Sequence, residues 1–297
     1  MISLKRVDAP LLGAHMSVAG GKHLAIARAL AVDSNVLQIF VKNANRWSEK
    51  RLSQEEIQAF RQAQEEANLR SIVAHDSYLI NLASPSESLW RKSINAFLDE
   101  MDRSEALGLD YLVAHPGAHM GSGETAGIRR IGEALAIILE QTVGYRVRIA
   151  LETTAGQGSN LGYRFEHLRD ILAACKWGDQ LYVCFDTCHV FAAGYDIRNQ
   201  ETCRITFDEF QQVVGLDRLA VFHFNDSVKG LGSRVDRHAH IGQGEIGLEA
   251  FRWILAQESF AAVPKILETP KENGLEADRR NLEVLRALVA EAATTVK

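Results

Sequence analysis

The chain has no run approaching the ~18 consecutive apolar residues of a membrane-spanning helix, which excludes a helical membrane protein. Its opening residues, Met1-Ile-Ser-Leu-Lys-Arg6, lack the apolar core of a secretion signal, so a cytoplasmic location is expected. Cysteine is scarce. Cys175, Cys184, Cys188 and Cys203 are too few to form a disulfide framework across 297 residues, and cytoplasmic thiols stay reduced. Cys184 and Cys188 stand four apart and admit a zinc thiolate pair, although two small buried hydrophobes is the plainer reading. Excess positive charge is missing too. Lys and Arg number 33 against 38 Asp and Glu, and the net charge of -5 excludes a uniformly basic nucleic-acid-binding surface while leaving room for a local basic rim. There is no low-complexity tract or linker, and no G-x-G-x-x-G turn follows the first strand-like run, which argues against an open dinucleotide-binding sheet.

What is present is an ordinary globular composition, 46% hydrophobic and 7% aromatic, sufficient for a full core. One stretch organises the rest. Tyr182-Val-Cys-Phe-Asp186-Thr-Cys-His189 is an apolar, strand-forming run that ends abruptly in a carboxylate and an imidazole. Ser71-Ile-Val-Ala-His75, Tyr111-Leu-Val-Ala-His115, Val147-Arg-Ile-Ala-Leu-Glu152, Leu219-Ala-Val-Phe-His223 and Pro264-Lys-Ile-Leu-Glu268 repeat the construction, each closing a strand-like run with His or Glu.

Helical periodicity fills the intervals. Apolar residues recur at helical spacing from Gly20 to Leu30. Ser53 and Glu56 form a capping box for a helix with Ile57, Phe60 and Ala67 on one face. Ser84 as N-cap with Pro85 in the first turn predicts a long helix presenting Leu89, Phe97 and Met101 and stopped by Gly108. Further helices are predicted around Ile128–Ile138, over Phe165–Ala174, Phe207–Val214 and Leu248–Leu255, and from about Glu276 to Ala292. With Pro10–His15 and Val36–Val41 as the first strands, eight strand-then-helix units emerge. Such a pattern calls for a parallel sheet, and eight unbroken units favour an α/β fold of the closed (β/α)8 TIM-barrel type over residues 1–297 as a single domain. In that barrel the active site lies at the C-terminal ends of the strands, where the His and Glu residues sit.

A lone strand-end His is commonly packing and a lone carboxylate commonly a helix cap, but the joint case differs. His75, His115, Glu152, Asp186, His189, His223, Asp236, His238 and Glu268 would converge on one face, where unpaired carboxylates are costly to bury and cations would neutralise them. Asp236 and His238, two apart, point the same way in extended chain and can share an ion. So many donors exceed the about three or four that one zinc takes. Two or three ions are implied, zinc first from the mixture of imidazole and carboxylate, with manganese or iron as substitutes. Paired ions of this kind suit phosphoryl displacement.

The runs His75-Asp-Ser-Tyr-Leu-Ile-Asn81, His115-Pro-Gly-Ala-His119, Leu151-Glu-Thr-Thr-Ala-Gly-Gln-Gly-Ser-Asn-Leu-Gly162, Asp186-Thr-Cys-His-Val-Phe-Ala-Ala-Gly-Tyr-Asp196 and Gly232-Ser-Arg-Val-Asp-Arg-His238 span most of the chain. In them the sequence resembles endonuclease IV, the family of zinc-dependent apurinic/apyrimidinic endonucleases. The resemblance implies three zinc ions: His75 and His115 on one, Asp186, His223 and Glu268 on a second, Glu152 bridging these two, and His189, Asp236 and His238 on the third. It also implies DNA repair activity on double-stranded DNA, with incision immediately 5′ of an abasic site to leave a 3′-hydroxyl and a 5′-deoxyribose phosphate. The attacking group would be a metal-held hydroxide that Glu152 orients and whose proton it accepts as the bond to phosphorus forms, making Glu152 the catalytic residue.

The same resemblance makes Tyr78 and Leu79 a wedge that fills the gap in bent DNA. Arg46, in Lys42-Asn-Ala-Asn-Arg-Trp47, is a further candidate DNA contact, although family members commonly carry Arg where this chain has Asn45. Lys229, Arg234 and Arg237 are candidate phosphate contacts. His15, His119 and His240 are candidates for supporting the ligands. No feature calls for a membrane or an obligate protein partner. The chief alternative is a metal-dependent sugar isomerase or epimerase on the same barrel, against which the extra trio His189, Asp236 and His238 speaks. A non-catalytic DNA-binding barrel leaves the convergence of donors unexplained.

Overall fold

The computed structural model describes residues 9–272 and 274–295; the Met1–Arg6 stretch considered above lies outside them. Apolar, β-branched runs form β1 (Leu12–His15), β2 (Val36–Phe40), β3 (Ser71–His75), β4 (Tyr111–Ala114), β5 (Arg148–Glu152), β6 (Leu181–Asp186) and β7 (Leu219–His223). After β7 the short strands β8 (Asp226–Ser227) and β9 (His238–Ala239) pair antiparallel, and β10 (Lys265–Leu267) follows. Strands β1 to β7 and β10 close in the order β1-β10-β7-β6-β5-β4-β3-β2, every pairing parallel. This is the TIM barrel expected from strand-helix alternation.

The pleat explains how the barrel builds its site. Val36, Val73, Val113, Ala150, Cys184, Val221 and Ile266 share one buried cluster inside the barrel, and Gly13 completes the layer on β1, where a Cβ would collide with the Val36 carbonyl oxygen. Side chains on a strand return to the same face every second residue. Two residues further along, the inward positions are therefore His15, Gln38, His75, His115, Glu152, Asp186, His223 and Glu268. An apolar floor thus carries a polar ring. The opposite faces of the strands, including Leu37, Ile39, Leu112, Ile149, Leu151, Phe185 and Phe222, pack under the helices with Phe60, Phe97, Phe165, Phe210 and Phe251. Each such buried side chain contributes roughly 1.5–3 kcal/mol of hydrophobic stabilisation, which fixes the ring on a rigid support.

The helices are α1 (His23–Leu30), α2 (Gln54–Ala67), α3 (Glu87–Leu107), α4 (Glu124–Gln141), α5 (Phe165–Ala174), α6 (Thr187–Ala193), α7 (Gln200–Val213), α8 (Leu248–Ala256) and α9 (Glu276–Thr295). The Ser53–Glu56 capping box is present on α2, and Gly108 ends α3 in the left-handed region as expected. Three boundaries depart from the sequence reading. Ser86, not Ser84, caps α3; the Ser84 hydroxyl instead accepts the Ser86 N–H in a local turn. Helix α7 begins at Gln200, well before Phe207, because Asn199 and Thr202 form a capping box with Thr in place of the usual Glu or Gln. Helix α6 was not expected at all, and it starts directly from the organising stretch.

Candidate metal centre

Glu152, at the end of β5 and 0% exposed, is the hub of the polar ring. Its Oε2 lies 3.1 Å from His75 Nε2 and 3.2 Å from His115 Nε2, and its Oε1 lies 2.9 Å from His223 Nδ1 and 3.2 Å from His189 Nδ1. Glu268 Oε2 stands 3.2 Å from His223 Nδ1. Beyond the ring, Asp236 Oδ2 is 3.2 Å from His189 Nε2 and Asp236 Oδ1 is 3.2 Å from His238 Nε2. Three donor groups result, the first two sharing Glu152: His75, His115 and Glu152; Glu152, Asp186, His223 and Glu268; and His189, Asp236 and His238. Within each, potential ligand atoms lie no more than 4.8 Å apart. All nine donors singled out in the sequence are brought together.

Helix α6 explains the spacing of Asp186 and His189. Asp186 is its N-cap, Oδ1 accepting the His189 N–H at 2.7 Å, so one turn of helix carries His189 past the strand end to face Asp236. Backbone carbonyls orient three of the imidazoles. Because a carbonyl can only accept, His75 Nδ1–H donates to Asp76 O at 2.8 Å, His189 Nδ1–H to Thr153 O at 2.8 Å and His238 Nδ1–H to Glu268 O at 3.0 Å, which leaves each Nε2 facing the cage, where a cation would take the place of its proton. His238 Nε2 is buried and makes no hydrogen bond even to Asp236 Oδ1 at 3.2 Å, which leaves it open to a cation. Imidazole and carboxylate in this arrangement fit zinc and chemically similar divalent ions.

The electrostatics agree. Burial by itself would raise the pKa of Glu152, but His223 and His115 foremost hold it well below the usual carboxylate range. Asp236 and Glu268 likewise overcome burial through their imidazole neighbours and are held low. Burial dominates at Asp186 and raises it. The imidazoles respond in kind: against the opposing effect of burial, Glu152 raises His75 to about 10 and Asp236 raises His238 to about 9. Cys184 and Cys188 come within ligand range of the cage, Cys184 near Glu152 and His223 and Cys188 near Asp186 and His238. Burial pushes Cys188 up to about 12 and Cys184 well above the free-thiol value, which favours the protonated sulfur of a packing residue.

Among the supporting residues, Gln38, Asn225 and Lys271 lie outside the sequence motifs, and Gln157 lies within one without standing out from it. Gln38, fully buried, donates through Nε2 to Glu268 Oε1 at 2.6 Å and accepts at Oε1 from His223 Nε2 at 2.8 Å. Asn225 donates to Asp186 Oδ2 at 2.7 Å and accepts the Glu268 N–H at 2.9 Å. Gln157 accepts the Asp236 N–H at 3.0 Å. Lys271 lines the cleft and is held 2.5 Å from Asp278 Oδ1. Of the supporting histidines expected, His15 stands 3.5 Å from Glu268 Oε1. His119 instead accepts the Gly121 and Gly123 N–H groups, and His240 pairs with Glu272 and Asn281.

The cage opens into a cleft of about 230 Å3 walled by Phe40, Tyr78, His115, Asp236, Thr269 and Lys271. Tyr78 is 68% exposed at its rim, edge-on to Phe40 at 5.6 Å, with Leu79 half-buried beside it. Arg46, Lys229, Arg234 and Arg237 are exposed, and none of them lines the cleft. Arg234 sits 4.5 Å over the Tyr163 ring, in a loop tied to α6 by its N–H to Ala192 O. Lys42 differs from its neighbours in the polar loop: it is buried, 3.0 Å from Glu100 Oε1. A larger cavity of about 840 Å3 lies at the other mouth of the barrel, beside Arg70, Glu105, Asp110 and Arg148, and holds no such convergence of donors.

The family profile described as a xylose isomerase-like TIM barrel matches residues 26–288. A probable endonuclease 4 from Chloroflexus aggregans is 52% identical over 280 residues, covering 94% of this chain and 98% of that protein. The chain belongs to the endonuclease IV family. The crystal structure of endonuclease IV from Thermus thermophilus superposes with a TM-score of 0.84 at 38% identity, over 95% of this chain and 100% of that one. A D-tagatose 3-epimerase-like protein also superposes, with a TM-score of 0.74 over 96% of this chain and 99% of that one. At 17% identity it shares the fold alone. Membership of the endonuclease IV family gives the cage a chemical context that the barrel by itself does not supply.

Proposed function

We propose that this protein is a DNA-repair endonuclease. It hydrolyses the phosphodiester 5′ of an abasic site in duplex DNA, leaving a 3′-hydroxyl and a 5′-deoxyribose phosphate, and works with about three zinc ions. The observation that carries the reading is the Glu152-centred cage at the mouth of an endonuclease IV-family barrel. His75 and His115 would hold one ion, Asp186, His223 and Glu268 a second, with Glu152 between them, and His189, Asp236 and His238 the third. Bound ions of this kind neutralise phosphoryl oxygens and acidify water.

The chain's own residues do the remainder. Glu152, with both carboxylate oxygens turned into the cage, orients the attacking water and takes its proton. The apolar floor and the buried ring restrict water to that approach. Tyr78, exposed at the rim, fills the space that a missing base leaves in the duplex, and an abasic sugar is inexpensive to turn outward. Lys229, Arg234 and Arg237, on the loop that carries Asp236 and His238, would meet backbone phosphates, with Arg46 in the loop after β2 as a further contact. The sugar-epimerase alternative gives no use to the third donor group or to an exposed Tyr78.

The test is a duplex with one synthetic abasic site, incubated beside its undamaged counterpart, with product ends identified. A single cut 5′ of the lesion bearing a 3′-hydroxyl is expected, with the undamaged duplex left whole. Cleavage 3′ of the lesion, or equal cutting of both duplexes, would refute the assignment.

A further inference from the structure

Of the eight inward side chains in the polar ring, six are among the proposed ligands and two, His15 and Gln38, are not. We propose that Gln38 is a positioning residue that fixes the tautomers of His223 and His15 and so decides which nitrogen His223 offers to the cage and which nitrogen of His15 keeps its proton. The inference rests on the metal-centre reading for His223 and on hydrogen bonding alone for His15.

Glu268 anchors the relay. An ionised carboxylate only accepts, so the partner 2.6 Å from its Oε1 must be the amide nitrogen of Gln38. That places Gln38 Oε1 opposite His223 Nε2 at 2.8 Å, and an amide oxygen there requires the proton on Nε2. His223 is thereby left with Nδ1 toward Glu152 Oε1, Asp186 Oδ2 and Glu268 Oε2, at 2.9, 3.9 and 3.2 Å. It is turned the opposite way from His75, His189 and His238, whose Nδ1–H groups are held by carbonyls and whose Nε2 atoms face inward.

The same amide nitrogen lies 3.0 Å from His15 Nδ1, closer than Glu268 Oε1 at 3.5 Å, and because an amide nitrogen only donates, Nδ1 accepts from it. His15 then carries its proton on Nε2 and presents a neutral N–H donor at the cleft, which it lines with Tyr78 and Lys271. One carboxylate sets two imidazoles through one amide. A leucine fills the same space without either end of the relay.

The test uses zinc-loaded full-length protein labelled with 15N at histidine, with zinc per chain counted and its release to a chelator timed. In the wild type, His223 should show a protonated Nε2 and a metal-bound Nδ1, and His15 a protonated Nε2 and a bare Nδ1. Gln38→Leu should release one zinc about tenfold to a hundredfold more readily and leave His15 without a fixed tautomer. Gln38→Glu, a second variant of similar shape, should restore the His223 pattern but not that of His15. Wild-type shifts and zinc retention in Gln38→Leu would overturn the proposal, as would a wild-type His223 protonated at Nδ1. A wild type that holds no zinc would overturn the metal-centre reading instead, and the His15 shifts, which need no metal, would still decide the role of Gln38.

Discussion

At the scale of single residues, the donors on the barrel strands were legible because each interrupts an apolar run where a strand should end, whereas Asp236 and His238 showed by their spacing. His75, His115, Glu152 and His223 all stand out that way. Gln38 does not: in Val36-Leu-Gln-Ile-Phe40 one amide reads as an ordinary polar position, and only barrel closure brings it to Glu268 and His223. Asn225 and Gln157 act through a backbone N–H or a single carboxylate oxygen, contacts that no spacing announces. Glu152→Gln keeps the shape of the hub and removes its charge. Turnover on an abasic duplex should fall by roughly a hundredfold to ten-thousandfold while DNA binding is largely retained, as single-turnover kinetics and a binding titration would show. Comparable turnover would remove Glu152 from its role. Lys265, 2% exposed on β10, gives a separate test of burial. Desolvation pushes its ammonium from 10.5 down to about 8. Below pH about 8 both folded and unfolded chains hold the proton, and the folded state bears the full cost of burying it. Between about 8 and 10.5 only the unfolded chain stays protonated, so this penalty fades as pH rises. Replacement by Met forfeits the hydrogen bond to Phe260 O at any pH, yet denaturant unfolding should show the variant, relative to wild type, about 3 kcal/mol more stable at pH 7 than at pH 10.5. A difference independent of pH would show that the charge is not buried at a cost.

At the scale of elements, strand ends and helix faces followed from periodicity, and the misplaced boundaries have local causes. Ser84 and Ser86 both offer a hydroxyl before α3, and the chain turns at the first and caps at the second. Helix α6 was hidden because Asp186-Thr-Cys-His189 reads as the end of a strand, whereas Asp186 also accepts a helix N–H and so belongs to both elements. That double use gives the third donor group its His189. Where the capping signal was complete, in Ser53 and Glu56, the reading and the structure coincide. Ser53→Ala should therefore cost about 0.5–2 kcal/mol in denaturant unfolding and leave zinc content unchanged, because α2 supplies no donor to the cage. A loss of zinc in that variant would mean that the outer helices, and not the strands alone, hold the ring in place.

At the scale of the whole molecule, the sequence supplied the donors and their places on strands, but the cage exists only because eight strands close. Glu152 and Glu268 are far apart in the chain, yet both reach His223 within 3.2 Å. Burying several carboxylates so close together is tolerable only if cations or protons accompany them. The account's central claim is that the cations do so in the working protein and that phosphodiester hydrolysis depends on them. The direct measurement is incision of a duplex carrying one abasic site by protein stripped with a chelator and then assayed with and without added zinc. Stripping should abolish cutting, and zinc or manganese should restore it, with about three metal ions taken up per chain for full activity. Undiminished cutting by protein shown to be free of metal would contradict the account.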